Sequence, residues 1–136
     1  MLQLAELRRG ETIYDLGAGD GRVIIQAVRE FGARAVGIEI DPARVSRIKQ
    51  RLVSTGVEAE VVQGDFMQVD LSPADVVVLY LSDSVNTELA PKLRNELRPG
   101  TRVVSLDYLL PGWTPGRALD VRSGALTRKI FLYRTP

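Results

Sequence analysis

Residues 74–81 read ADVVVLYL, an apolar run with no alternation. A strand with one wet face alternates polar and apolar residues, whereas a continuous run suits a central parallel strand whose sheet is covered on both sides by helices. The rest of the chain must therefore supply helices for two faces and parallel neighbours for this strand. Four further segments read as strands: TIYDL at 12–16, ARAVGIEI at 33–40, EAEVVQGD at 58–65 and TRVVSLDYLL at 101–110. Between the first two, Ile24, Ala27, Val28 and Phe31 mark one face of a helix from Arg22 to Phe31, opened by Asp20 and closed at Gly32. Asp41-Pro42 starts a second helix with an aspartate cap and a first-turn proline; Val45, Ile48 and Leu52 face inward there, and Arg44, Arg47, Lys49 and Arg51 face water. Val85, Leu89, Leu93 and Leu97 recur every four residues in a third helix, which Pro91 must kink or restart and RPG at 98–100 ends. PGWTPG stands where another helix would be expected, and ALDVRS (118–123) with RKIFLYRT (128–135) reads as a closing hairpin. The expected fold is α/β: a doubly wound, Rossmann-like, seven-stranded sheet, mostly parallel with an antiparallel C-terminal hairpin, in one domain spanning 1–136.

Composition narrows the chemistry. The chain has no cysteine and no histidine, so thiolate nucleophiles, disulfides, zinc–thiolate sites and imidazole bases are all excluded, and no metal site is expected. A formal net charge of +1 with 6% aromatics does not favour a nucleic-acid partner. No stretch approaches the roughly 20 apolar residues of a membrane span, and the opening MLQLAELRRG is not a basic-then-apolar leader. The sequence reads as that of a cytoplasmic protein with no membrane partner.

YDLGAGDGR, residues 14–22, joins the first strand to the first helix. Gly17, Gly19 and Gly21 let backbone approach a ligand at the place where doubly wound folds bind nucleotide-like molecules, with helix N–H groups aimed at it. The dinucleotide fingerprint needs a third glycine where this chain has Arg22, and Asp20 would repel a pyrophosphate. A dehydrogenase is thus the least suited reading, and a cationic, phosphate-free ligand fits better. Glu39, at the end of the second strand, is placed to accept two hydrogen bonds from a ribose diol. Asp65 ends the third strand on the same rim and suits an exocyclic adenine amine, with Phe66 beside the ring. Singly, each has an ordinary explanation: a tight turn, a helix-start carboxylate, a turn aspartate, a core aromatic. Their coincidence at three successive strand ends favours one ligand touching all of them.

The motifs YDLGAGDGR, GIEID, GDF and LRPGTRVVS, in this order and spacing, resemble those of the class I S-adenosylmethionine-dependent methyltransferases, over essentially the whole chain. The resemblance implies that S-adenosyl-L-methionine is the cofactor and S-adenosyl-L-homocysteine the product. It further implies that Asp15, Gly17 and Gly19 surround the methionine portion, that Glu39 holds the ribose, and that Asp65 and Phe66 border the adenine, with Ile40 and Leu79 also at the cofactor. The fourth strand then delivers LYLS at 79–82 near the methyl group, in place of the Asn/Asp/Ser-Pro-Pro-aromatic run of enzymes that modify exocyclic or amide nitrogens. VVLYLS, LAPKL and PGWTP are more similar to small prokaryotic protein-lysine methyltransferases and their mitochondrial relatives, which implies a protein partner with an accessible lysine. Those relatives carry a proline-containing segment ahead of a helix inside which this chain begins at Met1, so the N-terminal segment reads as short or missing.

A lysine acceptor must first lose a proton, which at neutral pH against a pKa of about 10.4 costs roughly 4–5 kcal/mol. Without histidine, the expected route is desolvation of the ammonium beside a sulfonium charge. Tyr80, as candidate catalytic residue, and the backbone carbonyls of 79–82 would orient the amine; Tyr80 and Trp113 would form its apolar sleeve, with Ser82 also at the substrate. Tyr80 as a plain strand aromatic and Trp113 as a packing lid remain the competing explanations. Methylation of a small molecule or RNA, and a cofactor-binding protein without activity, are the alternative functions. The oligomeric state is not legible.

Overall fold

The computed structural model describes residues Met1–Pro136. Seven strands form one sheet: β1 (Thr12–Leu16), β2 (Arg34–Glu39), β3 (Glu60–Gln63), β4 (Val76–Leu79), β5 (Arg102–Leu106), β6 (Arg117–Ser123) and β7 (Leu126–Arg134). Their order is β3-β2-β1-β4-β5-β7-β6. The first five are parallel, and β7 pairs antiparallel with both β5 and β6. This is the doubly wound methyltransferase-type sheet with the C-terminal hairpin. The apolar run behaves as its composition requires, since every residue of β4 is buried.

The two faces are filled separately. On one, Ile13, Val76, Val78, Val104, Ile130 and Leu132 meet α1 (Arg22–Phe31), α2 (Pro42–Thr55) and the leucines of the first seven residues. On the other, Leu16, Val77, Leu79, Val103 and Tyr133 meet α3 (Asp83–Glu96). Gly37 in β2 makes the first face possible. A Cβ there would sit 2.9 Å from Cβ of Ala18 and 3.2 Å from Cδ1 of Ile24, so only glycine lets the glycine loop and α1 close onto the sheet.

Three local expectations are corrected. The helix expected at Met1 is a single turn: Glu6 N donates to Gln3 O and Leu7 N to Leu2 O, with Glu6 at φ 54. That is the hydrogen-bond pattern that terminates a helix. Helix α1 is entered through Gly21 at φ 80 and not capped by Asp20. The Asp20 carboxylate instead accepts from Arg22 N at 3.0 Å, because left-handed Gly21 turns the chain before the helix begins. Helix α3 runs unbroken through Pro91, and Ser82 caps it. No helix is long and apolar enough to cross a membrane.

Candidate active site

The carboxyl ends of β1 and β4 open into a cleft of about 920 Å³. Its floor is built by register. Asp15 of β1 pairs with Val78 of β4, so Asp15, Val78 and, two residues on, Tyr80 share one side of the sheet, and all three line the cleft. The glycine loop forms one wall. Gly17 N and Ala18 N both donate to Ile38 O, at 2.9 and 3.0 Å, which folds the loop back over the end of β2. Gly17 and Gly19 hold φ 78 and 61, conformations that a side chain would strain. Leu106, Val121 and Arg128 line the cleft from the β5 and hairpin side.

Glu39 stands behind the loop, 4% exposed. One carboxylate oxygen accepts from Gly19 N at 2.9 Å and the other from Asp41 N at 3.0 Å, so this side chain ties the glycine loop to the start of α2. Ile40, next in line, is 67% exposed. Asp65, itself exposed, uses Oδ1 to accept from Met67 N at 2.9 Å, capping a short 3-10 turn at Phe66–Gln68. Ile40, Asp65 and Phe66 thus lie along the strand ends beyond the cleft lining.

Asp15 is the electrostatic centre. Its carboxyl is 5% exposed, and its pKa is pushed up to about 7, first by burial and then by the negative charges of Asp20 and Glu39. The folded protein therefore holds this proton up to about pH 7, whereas the unfolded chain releases it near 3.8. In that window the folded state holds the Asp15 proton and the unfolded chain does not, so the contribution of Asp15 to stability falls as pH rises from about 4 to 7 and is level above. Asp15→Asn, which removes the charge at constant size, should raise the melting temperature at pH 8, with the gain shrinking steadily toward pH 4. Thermal melts across that range test this; a gain independent of pH would mean that ionisation of Asp15 is not its source.

Tyr80 is 51% exposed at the cleft mouth. Its hydroxyl accepts from Arg128 Nη1 at 2.5 Å, and the same nitrogen donates to Asp107 Oδ2 at 2.6 Å. Asp107 is a non-glycine residue at φ 69, held by Lys129 through its own N–H and through Oδ1. Leu79, expected at the cofactor, and the other predicted acceptor residues, Ser82 and Trp113, are not brought into this space. Leu79 is fully buried on the opposite face. Ser82 Oγ accepts from Val85 N as the α3 cap. Trp113 packs edge-on to Tyr133 at 6.0 Å on that opposite face, under the Arg94 guanidinium. The cleft also contains residues to which the sequence alone assigns no role at the site: Arg22, Arg44, Arg47, Arg51 and Arg128.

No group of His, Cys, Asp or Glu is arranged to hold a metal. For an adenosyl sulfonium the donor set fits: a buried carboxyl whose neighbouring charges are negative, a loop held at positive φ by its glycines, and a glutamate and an aspartate at successive strand ends.

Comparison with known proteins gives the same family from several directions. Residues 15–117 match the family described as the ANTKMT methyltransferase domain. A protein-lysine N-methyltransferase of Saccharolobus islandicus is 41% identical over 98% of this chain and 84% of its own. The adenine nucleotide translocase lysine N-methyltransferase of Mus musculus is 36% identical over 85% of this chain and 51% of its own, so the chain spans about half the length of that relative. A crystal structure described as an RNA methyltransferase from Salinibacter ruber in complex with S-adenosyl-L-homocysteine has 42% identity and a TM-score of 0.93, covering 99% of this chain and 87% of that one.

Proposed function

This chain belongs to the ANTKMT methyltransferase domain family, S-adenosylmethionine-dependent methyltransferases, and on that premise we propose that it methylates the ε-amine of lysines in proteins. The reading is supported by a single observation on the molecule: buried Asp15 on β1 and half-exposed Tyr80, just past the end of β4 and two residues beyond the partner of Asp15, line the same cleft. Asp15 with Gly17 and Gly19 would hold the methionine portion of the cofactor, Glu39 and Ile40 the ribose, and Asp65 with Phe66 the adenine. S-adenosylmethionine supplies a methyl group on a sulfonium centre. The chain's own part is to bind, orient and dehydrate the acceptor. Tyr80, whose oxygen accepts from Arg128, keeps a second lone pair for an amine N–H and has its ring fixed by the same guanidinium, 5.3 Å from the ring centre. The apolar Val78, Leu106 and Ile130 around it disfavour an ammonium and so lower the pKa of an amine brought there.

A positive ligand beside Asp15 stabilises its carboxylate. Cofactor affinity should therefore increase from pH 6 to 8 in the parent protein and be flat in Asp15→Asn, as read by calorimetric titration.

The acceptor class is tested by incubation with methyl-labelled cofactor and cell extract, followed by separation of protein, RNA and small-molecule fractions. Label recovered as methyl-lysine after protein hydrolysis is the expected result. A second reading, transfer to RNA, draws on the Salinibacter relative; label confined to the RNA fraction would replace the lysine proposal with it.

A further inference from the structure

Helix α2 carries Arg44, Arg47, Lys49 and Arg51 and contains no acidic residue. Arg44, Arg47 and Arg51 fall at i, i+3 and i+7, so they share one face about 10 Å long. That face lines the cleft in which Tyr80 stands, and all three residues are exposed. Their charge is only partly answered. Arg44 lies 3.8 Å from Asp41, Arg51 lies 3.7 Å from Asp20, and Arg47 has no ion pair. Asp20 is also shared with Arg22, at 3.2 Å.

The helix does not need this strip for itself. Its buried stripe is Val45, Ile48 and Leu52. A cation in the first turn, such as Arg44, opposes the helix dipole. Nor do the arginines pair along the helix, since no acid is there to receive them. Across the cleft the hairpin presents Val121, Ser123 and Arg128, the last already paired with Asp107. The result is a trough with one wall of largely unanswered cations, a facing wall whose one cation is paired, and Tyr80 between them.

We propose that Arg44, Arg47 and Arg51 dock acidic residues flanking the acceptor lysine, so that lysines in acidic sequence surroundings are the preferred substrates. The inference rests on the lysine reading above. Guanidinium forks receive carboxylates bidentately, and a 10 Å strip matches about three residues of extended chain at roughly 3.3 Å each. The same wall raises the local concentration of an acidic segment at the cleft mouth.

The test uses lysine peptides identical except for three flanking residues, either Glu, Gln or Arg, with the intact protein and labelled cofactor. The Glu peptide should exceed the Gln peptide about tenfold in kcat/KM at low salt, the combined effect of three exposed charge pairs. That ratio should fall toward one in 0.5 M NaCl. In Arg44→Glu/Arg47→Glu the order should invert in favour of the Arg peptide, and in Arg47→Gln, which serves if the double variant does not fold, the ratio should shrink. A ratio taken within one protein is insensitive to a general loss of activity. Equal kcat/KM for all peptides in the parent protein overturns the docking wall and leaves the lysine reading standing; no label in any peptide overturns both. Unchanged ratios in the variants, loss of cofactor affinity without peptide that accounts for the whole effect, or transfer to an RNA oligonucleotide in preference to every peptide would each assign the strip to something else and overturn the proposal.

Discussion

Arg102→Leu is expected to destabilise the protein by about 3–5 kcal/mol, the cost of breaking a buried ion pair by removing one partner. Arg102 sits on β5 with its side chain 7% exposed. One guanidinium nitrogen donates to both Ala5 O and Glu6 O at 2.9 Å, and the other to Glu11 Oε1 at 2.5 Å. The fork therefore clips the first eleven residues to the middle of the sheet. Leu2, Leu4, Ala5 and Leu7 of that segment are buried in the core on the α1 side, and Met1 lines the cleft. Leucine would leave two carbonyls and a carboxylate in a place built for a cation, and the segment would lose its anchor. Since whole domains are stable by only about 5–15 kcal/mol, a loss of this size is a large part of the total. Urea unfolding of Arg102→Leu, of Arg102→Lys and of Arg102→Leu with Glu11→Leu checks it. Lysine should recover part of the loss, and the double variant should be more stable than the single one, because it no longer buries an unpaired charge. A single-variant loss below about 1 kcal/mol would mean that the leucines alone hold the segment.

That clip was invisible in the sequence, and the reason is general to this fold. Local periodicity carried the elements: the unbroken ADVVVLYL run required a strand covered on both sides, and β4 is buried throughout. The i, i+4 leucines marked α3, and Asp41-Pro42 capped α2, where the aspartate accepts from Ala43 N. Strand ends came out shorter than the runs read as strands, β4 stopping at Leu79 and β5 at Leu106, where Asp107 enters the left-handed region. What local pattern cannot carry is which partner a side chain meets across the sheet. The Arg128–Tyr80–Asp107 contact needs the antiparallel register that sets Ser105 opposite Phe131, a matter of pairing between segments more than twenty residues apart. The turn chemistry of PGWTP identified a loop, but it does not tell on which face of the sheet Trp113 lands; the indole packs against Tyr133, away from the cleft. The spacing of Arg44, Arg47 and Arg51 was there to be read, and it reads as an ordinary wet face until the cleft is known to lie beside it. Glycine-loop geometry was the most legible part of the candidate site, since three closely spaced glycines between a strand and a helix leave few ways to turn. Glu39 was legible as a carboxylate at a strand end, and its grip on Gly19 was not.

Glu39→Ala should separate what that grip does for the fold from what it does for the cofactor. Two hydrogen bonds to a charged acceptor would be lost, those from Gly19 N and Asp41 N, and each such bond contributes about 1.5–3 kcal/mol. Both donors sit where solvent reaches them once the carboxylate is gone, so the expected loss in the free protein is about 2–4 kcal/mol and not the full sum. On the proposed ribose role, S-adenosylmethionine would bind more weakly by a further 1–3 kcal/mol, about 5- to 150-fold, as the proposed acceptor is lost and the glycine loop loses its fixed position. Glu39→Gln discriminates between these causes. Its amide oxygen can serve one of the two N–H groups, but its NH2 must face the other donor, so the loop is partly restored while one ribose acceptor is replaced by a donor. If Glu39 holds the ribose, the glutamine variant should recover more thermal stability than cofactor affinity. Equal recovery of both, or a lowered melting temperature with an unchanged dissociation constant in the alanine variant, would reduce Glu39 to a brace between the loop and α2 and take it out of the ribose site.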